Sequence, residues 1–131
     1  MAVNILEENQ LNVRMFGAFS VYFNDIPIVT ERSRTSKVTQ LLCYLLIMRH
    51  RPVSQDELID AILMDMESNN PGNVLKNLVY RLRKLFLVDG VPDVEIIYYK
   101  KGCYGISEAL TVNMDSEQFE QLMKQMEEET D

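Results

Sequence analysis

The sequence has 131 residues, of which 47% are hydrophobic and 25% charged, a balance typical of one soluble globular domain. Its longest apolar run, residues 41–48, is too short to cross a bilayer, and no signal peptide is visible at the N-terminus. The net charge of −7 argues against a nucleic-acid partner, because domains that bind nucleic acid are commonly basic. Composition therefore excludes a membrane span and leaves the partner to be inferred from where the charges lie.

The charges are unevenly distributed along the chain. Residues 1–31 contain one basic and four acidic side chains, and residues 102–131 contain one basic and eight acidic side chains. Residues 32–101 contain eleven Lys and Arg against eight Asp and Glu. Because local charge attracts an anionic partner, the middle of this acidic chain can still form a basic face.

The chain is predicted to begin with a small antiparallel sheet. Residues 11–23 alternate between apolar and polar side chains as strands do, with Gly17 between two runs. Asn24 and Asp25 supply a turn. Residues 26–28 are typical of an edge strand, where proline is tolerated.

Three helices are predicted next. The first, over 36–49, is apolar almost all round, which indicates a position at the centre of a domain. Ser54 and Glu57 match a capping box at the start of the second helix. Asn70 is a suitable cap for a third helix over 71–87, which has proline at its first position.

A hairpin is predicted after the helices, over residues 94–107. Residues 94–99 are β-rich, residues 100–102 form a turn that contains two lysines, and residues 103–107 return as a second strand. The order sheet, helix, helix, turn, helix, hairpin is the layout of a winged helix-turn-helix. We therefore predict an α+β fold with an N-terminal antiparallel sheet, three helices and a C-terminal hairpin wing.

The predicted domain organisation is a single domain with two flanks. Asp115 and Ser116 are candidate caps for a final acidic helix that includes Phe119, Leu122 and Met126. The predicted division is an N-terminal extension at 1–10, the winged-helix domain at 11–110, and an acidic helical tail at 111–131 that begins a downstream helical domain.

The third helix carries the main functional signal. With successive residues about 100° apart, leucines cluster on one side and polar residues without a single acid cluster opposite. A helix that faces only water usually mixes charges, because Glu–Lys pairs stabilise it, whereas Asn, Arg and Lys can contact bases and phosphates. The alternative is a solvated polar face over a leucine core. The candidate DNA-binding residues of this helix are Asn73, Lys76, Asn77, Tyr80, Arg81, Arg83 and Lys84.

Two basic pairs extend this candidate surface. Lys100 and Lys101, at the hairpin tip, suit the DNA backbone or the minor groove, although such a turn can also be merely solvated. Arg32 and Arg34 lie in an acid-free stretch before the first helix and are candidates for the same role.

Catalytic and metal sites are not expected. His50 is the only histidine, and no Ser or Cys is recognisably paired with it. Cys43, Cys103 and one histidine cannot build a closed zinc site with the usual spacing, and two lone cysteines favour reduced thiols in a reducing compartment. We therefore expect a cytoplasmic protein that is not an enzyme and has no cofactor, no membrane contact and no small-molecule substrate.

These residues resemble a known family, the OmpR/PhoB-type winged helix at the N-terminus of SARP-like regulators, in which a helical bacterial transcriptional activator domain follows. The matching segments, within residues 11–107, are 13–17 with Phe19 and Val21, 32–34, 45–46, 51–54, 57–59, 70–71, 75–84, and Gly102 with Tyr104. Residues 112–115 with Phe119 are similar to the entry into the helical domain. The chain departs from the family pattern in having Met64 near the place where a Trp is often found.

The resemblance implies a sequence-specific DNA-binding transcriptional regulator. The third helix would enter the major groove, the hairpin would lie on the backbone or in the minor groove, and two copies would bind in tandem or as a dimer. The loop at 67–72 would contact RNA polymerase. The alternative is a winged helix that serves as a protein-interaction module within a larger signalling regulator, through its acidic second helix and tail.

Overall fold

The chain has an α+β architecture in two units, each with its own β-sheet. The computed structural model describes residues 9–32, 36–117, 120 and 124–126. One unit comprises Met1–Arg32 with Ala109–Asp131, and the other comprises Ser33–Glu108. In chain order the elements are β1 (Gln10–Arg14), β2 (Phe19–Phe23), β3 (Ile26–Arg32), α1 (Lys37–Ile47), β4 (Val53–Ser54), α2 (Gln55–Ile62), α3 (Pro71–Leu85), β5 (Ile97–Lys100), β6 (Cys103–Ile106) and β7 (Thr111–Met114).

The first unit is built on a mixed four-stranded sheet with the order β3-β2-β1-β7. β1 and β2 pair antiparallel, as do β2 and β3, whereas β1 and β7 pair parallel. The prediction of a purely antiparallel sheet is therefore wrong in its fourth strand. Short turns such as the one at Asn24 produce antiparallel neighbours, but a strand that arrives after a long connection can pair parallel.

The segment after the hairpin begins as a strand. We predicted a helical tail over 111–131, but Thr111–Met114 form β7, and helical backbone begins only at Asp115. The Asp115 carboxylate accepts hydrogen bonds from the backbone N–H groups of Met15 and Phe16, at 2.7 and 3.2 Å. β7 and Asp115 thus hold the end of β1. Of the side chains predicted to line the final helix, Met126 is exposed, and Phe119 and Leu122 lie outside the described residues.

The second unit contains the three predicted helices. α1 is the buried one, with Val38, Thr39, Leu41, Leu42, Leu45 and Leu46 in the core. The Ser54 hydroxyl caps α2 by accepting a hydrogen bond from the Glu57 backbone N–H at 3.1 Å. The Asn70 side chain caps α3 in the same way, through the Asn73 backbone N–H at 3.2 Å. α3 ends at Leu85, two residues before its predicted end.

The second unit also contains an antiparallel three-stranded sheet with the order β4-β6-β5. The predicted hairpin is present, but β5 starts at Ile97 and not at residue 94. The Val94 backbone N–H donates to the Pro92 carbonyl at 2.8 Å, so a local turn occupies this segment and pairing begins beyond it. Within the hairpin, a side chain at Gly105 would overlap the Tyr98 ring, which explains the glycine at this buried position.

None of the helices in the described part of the chain combines the length and apolar character that crossing a membrane requires. Among the described residues, no three His, Cys, Asp or Glu side chains are grouped so that they could hold a metal ion. Cys43 and Cys103 are half-buried and are not joined in a disulfide.

Candidate nucleic-acid interface

α3 has two chemically distinct faces. Its buried side chains are Leu75, Leu78, Val79 and Leu82. Its exposed polar side chains are Asn73, Lys76, Asn77, Tyr80, Arg81, Arg83 and Lys84. All seven residues predicted on this helix are therefore accessible to a partner. We call them the α3 polar face.

The ends of α3 explain why the polar face can be free of acids. A helix N-terminus is usually stabilised by acidic residues and the C-terminus by basic ones, through the helix dipole. Here the first turn contains no acid, and Asn70 and Pro71 supply the cap and the first turn instead. Arg83 and Lys84 occupy the last turn, where positive charge stabilises the helix.

Two basic side chains of the α3 polar face have contacts within the unit. The Lys84 ammonium lies over the Tyr80 ring, 4.6 Å from its centroid, within the range of a cation–π interaction. Arg83 Nη2 donates to the Ile97 carbonyl at 3.0 Å and so links α3 to β5. Arg83 is therefore in part a structural residue, a role that helical spacing alone could not reveal.

A groove of about 280 Å³ separates the α3 polar face from the hairpin. Its lining comprises Lys76, Val79, Tyr80, Arg83, Tyr99 and Tyr104. Tyr99 and Tyr104 are in ring contact, with centroids 4.8 Å apart. Burial raises the pKa of Tyr104, and so does the nearby Tyr99, whereas Arg83 acts in the opposite direction. The groove therefore presents neutral aromatic and positively charged groups side by side.

The hairpin tip is fixed by its backbone. Lys101 and Gly102 have positive φ angles of 53° and 79°, as a two-residue hairpin turn requires. The Gly102 carbonyl accepts a hydrogen bond from the Gln55 backbone N–H at 3.1 Å, which ties the tip to the start of α2. Lys100 and Lys101 are both exposed, so the second unit contains both predicted hairpin lysines as well as the α3 polar face.

The predicted arginine pair is not part of this arrangement. Arg32 is the last residue of β3 in the first unit, and only its backbone is described. Arg34 lies outside the described residues. Their assignment to the DNA-binding surface stays a prediction.

A charged cluster that sequence analysis missed joins α1 to the start of α2. Glu57 accepts a hydrogen bond from the Tyr44 hydroxyl at 2.5 Å and two from the Arg51 guanidinium, at 3.0 and 2.8 Å. Hydrogen bonds from Arg51 and then from Tyr44 lower the pKa of Glu57 to about 2. The hydrogen bond to Glu57 raises the pKa of Tyr44. The capping-box pattern places Glu57 on α2 but gives no sign of Tyr44.

The connection between α2 and α3 is tied to α1 by one lysine. Lys37 Nζ donates to the Ile62 carbonyl at 2.8 Å and to Asp65 at 2.6 Å. The hydrogen bond from Lys37 lowers the pKa of Asp65. Next to this contact, Met64 and Met66 are 78% and 41% exposed, which leaves an apolar patch on the connection.

Comparison with known proteins adds no functional information: no protein-family model matches the sequence, and no curated protein does. The features that bear on function are therefore the α3 polar face, the groove beside it and the hairpin lysines. The described residues of these three features include donors, amides and aromatic rings, and none of them is acidic.

Proposed function

We propose that this chain is a DNA-binding transcriptional regulator with an OmpR/PhoB-type winged helix-turn-helix, similar to that of SARP-like regulators. One observation carries the proposal: α3 exposes seven polar side chains, none of them acidic, opposite a buried leucine stripe. In this assignment α2 and α3 are the two helices of the helix-turn-helix, and the β5–β6 hairpin is the wing.

The proposed mode of binding follows from the size of the major groove. That groove is about 12 Å wide and admits one α-helix, and α3 is the helix whose outer face offers Asn and Lys groups to base edges. Lys100 and Lys101 would contact phosphates, which orient a protein on DNA without recognising sequence. The proposal includes no catalytic step and no cofactor.

The acidic charge of the whole chain is compatible with this mode of binding. Most of the excess acids lie in residues 1–31 and 102–131. The residues assigned to the proposed surface belong to the second unit and include no acid, so local attraction to phosphate can oppose the overall charge. Such attraction is sensitive to salt, and this sensitivity provides the test.

The test is fluorescence anisotropy of labelled random-sequence duplexes titrated with the full chain at several salt concentrations. We expect binding at low salt that weakens steeply as salt rises, because the cations that neutralise phosphates release counterions. Lys76→Ala combined with Lys84→Ala should weaken binding to every duplex, whereas Lys124→Ala, an exposed lysine of the first unit, should not. Failure to bind any duplex at low salt would contradict the proposal.

A second candidate function is protein recognition, supported by the exposed Met64 and Met66. Aromatic residues and methionine are enriched at protein interfaces, and this apolar patch adjoins the loop at 67–72 for which contact with RNA polymerase is expected from the resemblance. Biolayer interferometry with immobilised bacterial RNA polymerase tests it. If this is the main function, Met64→Ala with Met66→Ala abolishes polymerase binding, and duplex DNA gives no salt-dependent signal.

A further inference from the structure

Three residues of the α3 polar face lie in one row. Asn73, Asn77 and Tyr80 follow the four- and three-residue spacing that places side chains above one another on a helix. Within the described part of the chain, the Asn73 and Asn77 side-chain amides have no hydrogen-bond partner. The Tyr80 ring is 59% exposed. This row therefore presents hydrogen-bonding groups and an apolar ring to a partner at the same time.

The aromatic ring in this row is held in place by the helix itself. Lys84 lies over the Tyr80 ring at 4.6 Å, so it covers one face of the ring, while Tyr80 as a residue stays 59% exposed. Exposing such a large apolar surface to water is unfavourable. A partner that covers the ring with an apolar group would remove this cost.

The major groove offers matching groups on one type of base pair. Asn pairs bidentately with N6 and N7 of adenine, and the 5-methyl of thymine is the group that makes apolar contacts there. Asn77 and Tyr80 are three residues apart, about 4.5 Å along the helix axis. Successive base pairs are about 3.4 Å apart, so two side chains separated by a few ångströms can reach neighbouring pairs.

We infer that α3 selects adjacent A·T pairs, with the Asn77 amide on adenine and the Tyr80 ring on the 5-methyl group of a neighbouring thymine. This inference rests on the proposed function, because it requires α3 to lie in the major groove. Asn73, one turn before Asn77, extends the same recognition toward the start of the helix. The basic residues beside this row then contribute affinity through phosphate, and the row contributes sequence preference.

The test begins with selection of bound sites from random duplexes by the full chain. Each thymine of the selected site is then replaced singly by uracil, which removes only the methyl group. At one position we expect about a fourfold loss of affinity, which corresponds to the free energy gained by burying one methyl-sized group. Replacing the adjacent adenine by 7-deazaadenine, which lacks the N7 acceptor, should also weaken binding.

Amino-acid variants test which residue recognises which base. Tyr80→Ala should eliminate the difference between thymine and uracil, and Tyr80→Phe should retain it. Asn77→Ala should eliminate the effect of 7-deazaadenine. Leu87→Ala is the matched control, since Leu87 is 76% exposed but lies beyond the end of α3, and this variant should retain both base effects.

The outcomes separate the inference from the proposed function. If the chain binds duplexes but selects no adjacent A·T pairs, or binds thymine and uracil equally at every position, the inference is overturned and the proposed function stands. A uracil effect that persists in Tyr80→Ala overturns the assignment of Tyr80. If no duplex binds at low salt, the proposed function and the inference both fail.

Discussion

Glu57 shows how one side chain can connect two helices. It accepts a hydrogen bond from Tyr44 on α1 and two from Arg51 in the segment before α2, while its backbone N–H is capped by Ser54. Bidentate pairing of arginine with a carboxylate is stronger and more directional than an ordinary hydrogen bond. The cluster therefore fixes the start of α2 relative to α1.

The lowered pKa of Glu57 predicts the pH dependence of stability. Its pKa falls from an ordinary 4.5 to about 2, so the native state favours the ionised form. The stability that ionised Glu57 adds to the fold is fully present above pH 4.5 and is lost as the pH falls towards 2. We expect Glu57→Gln to lower the melting temperature at pH 7 and to reduce its further decline on acidification.

The measurement for this prediction is thermal unfolding between pH 2 and pH 7, with Glu95→Gln, an exposed glutamate of the segment before β5, as the matched control. The lowered pKa of Asp65 contributes to the decline in both variants, so the comparison isolates Glu57. If Glu57→Gln and Glu95→Gln decline in parallel from the same melting temperature, the Tyr44–Arg51–Glu57 cluster does not stabilise the fold.

At the scale of elements, α3 was the most predictable part of the chain. Its cap, its leucine stripe and its polar face all follow from local spacing, and each is confirmed. The hairpin was less predictable, because Val94 has strand propensity and yet lies in a turn closed by Pro92. The Arg83 contact with Ile97 was not predictable, because it depends on how two separate elements pack.

The hairpin as an element provides a second prediction. Lys100→Ala combined with Lys101→Ala should weaken binding to all duplexes alike, because phosphate contacts carry no sequence information. The slope of log affinity against log salt should become shallower by about 1.8 if both lysines contact phosphate. The measurement is duplex binding at four or more salt concentrations, with selected and random sequences. Equal slopes for the double variant and the native chain would exclude the hairpin from the interface.

At the scale of the whole molecule, the least predictable feature is β7. Thr111–Met114 is short, only Met114 within it is buried, and its partner β1 is distant in sequence. Nothing in the local pattern of these four residues indicates which strand they join, or that the pairing is parallel. The predicted domain boundary at residue 110 consequently separates β1 from a strand that pairs with it.

This pairing predicts the effect of shortening the chain. A variant that ends at Leu110 lacks β7 and the Asp115 carboxylate, so the backbone N–H groups of Met15 and Phe16 lose the acceptor that they have in the full chain. We expect faster amide hydrogen exchange at these two residues and along β1, with a smaller effect in α3. Asp115→Ala in the full chain separates the carboxylate from the strand and should affect Met15 and Phe16 alone. Unchanged exchange in the shortened chain would contradict the role assigned to β7.

A second whole-molecule prediction concerns the number of copies on DNA. One recognition helix contacts few base pairs, and a single module buries a modest area. We expect weak binding to one half-site and roughly tenfold tighter binding per site to a direct repeat with a spacing of about 10 bp, within the range typical of coupling between sites. Titration of both duplexes measures the affinity per site, and a repeat spaced by half a turn serves as the control. Equal, tight binding to the single site would instead indicate a monomer that is sufficient by itself.

The pairing of β1 with β7 also determines the order of events during synthesis. Met15 and Asp115 are 100 residues apart in sequence, and at about 5–20 residues per second a ribosome needs at least several seconds to add the stretch between them. Throughout that interval β1 can pair with β2 but has an open edge, and open edges invite pairing with other chains. The residues of Ser33–Glu108 are all synthesised before β7 emerges, so the second unit can fold while the first is still incomplete. Released chains that end before residue 111 should therefore contain a folded second unit and a first-unit sheet that lacks its fourth strand.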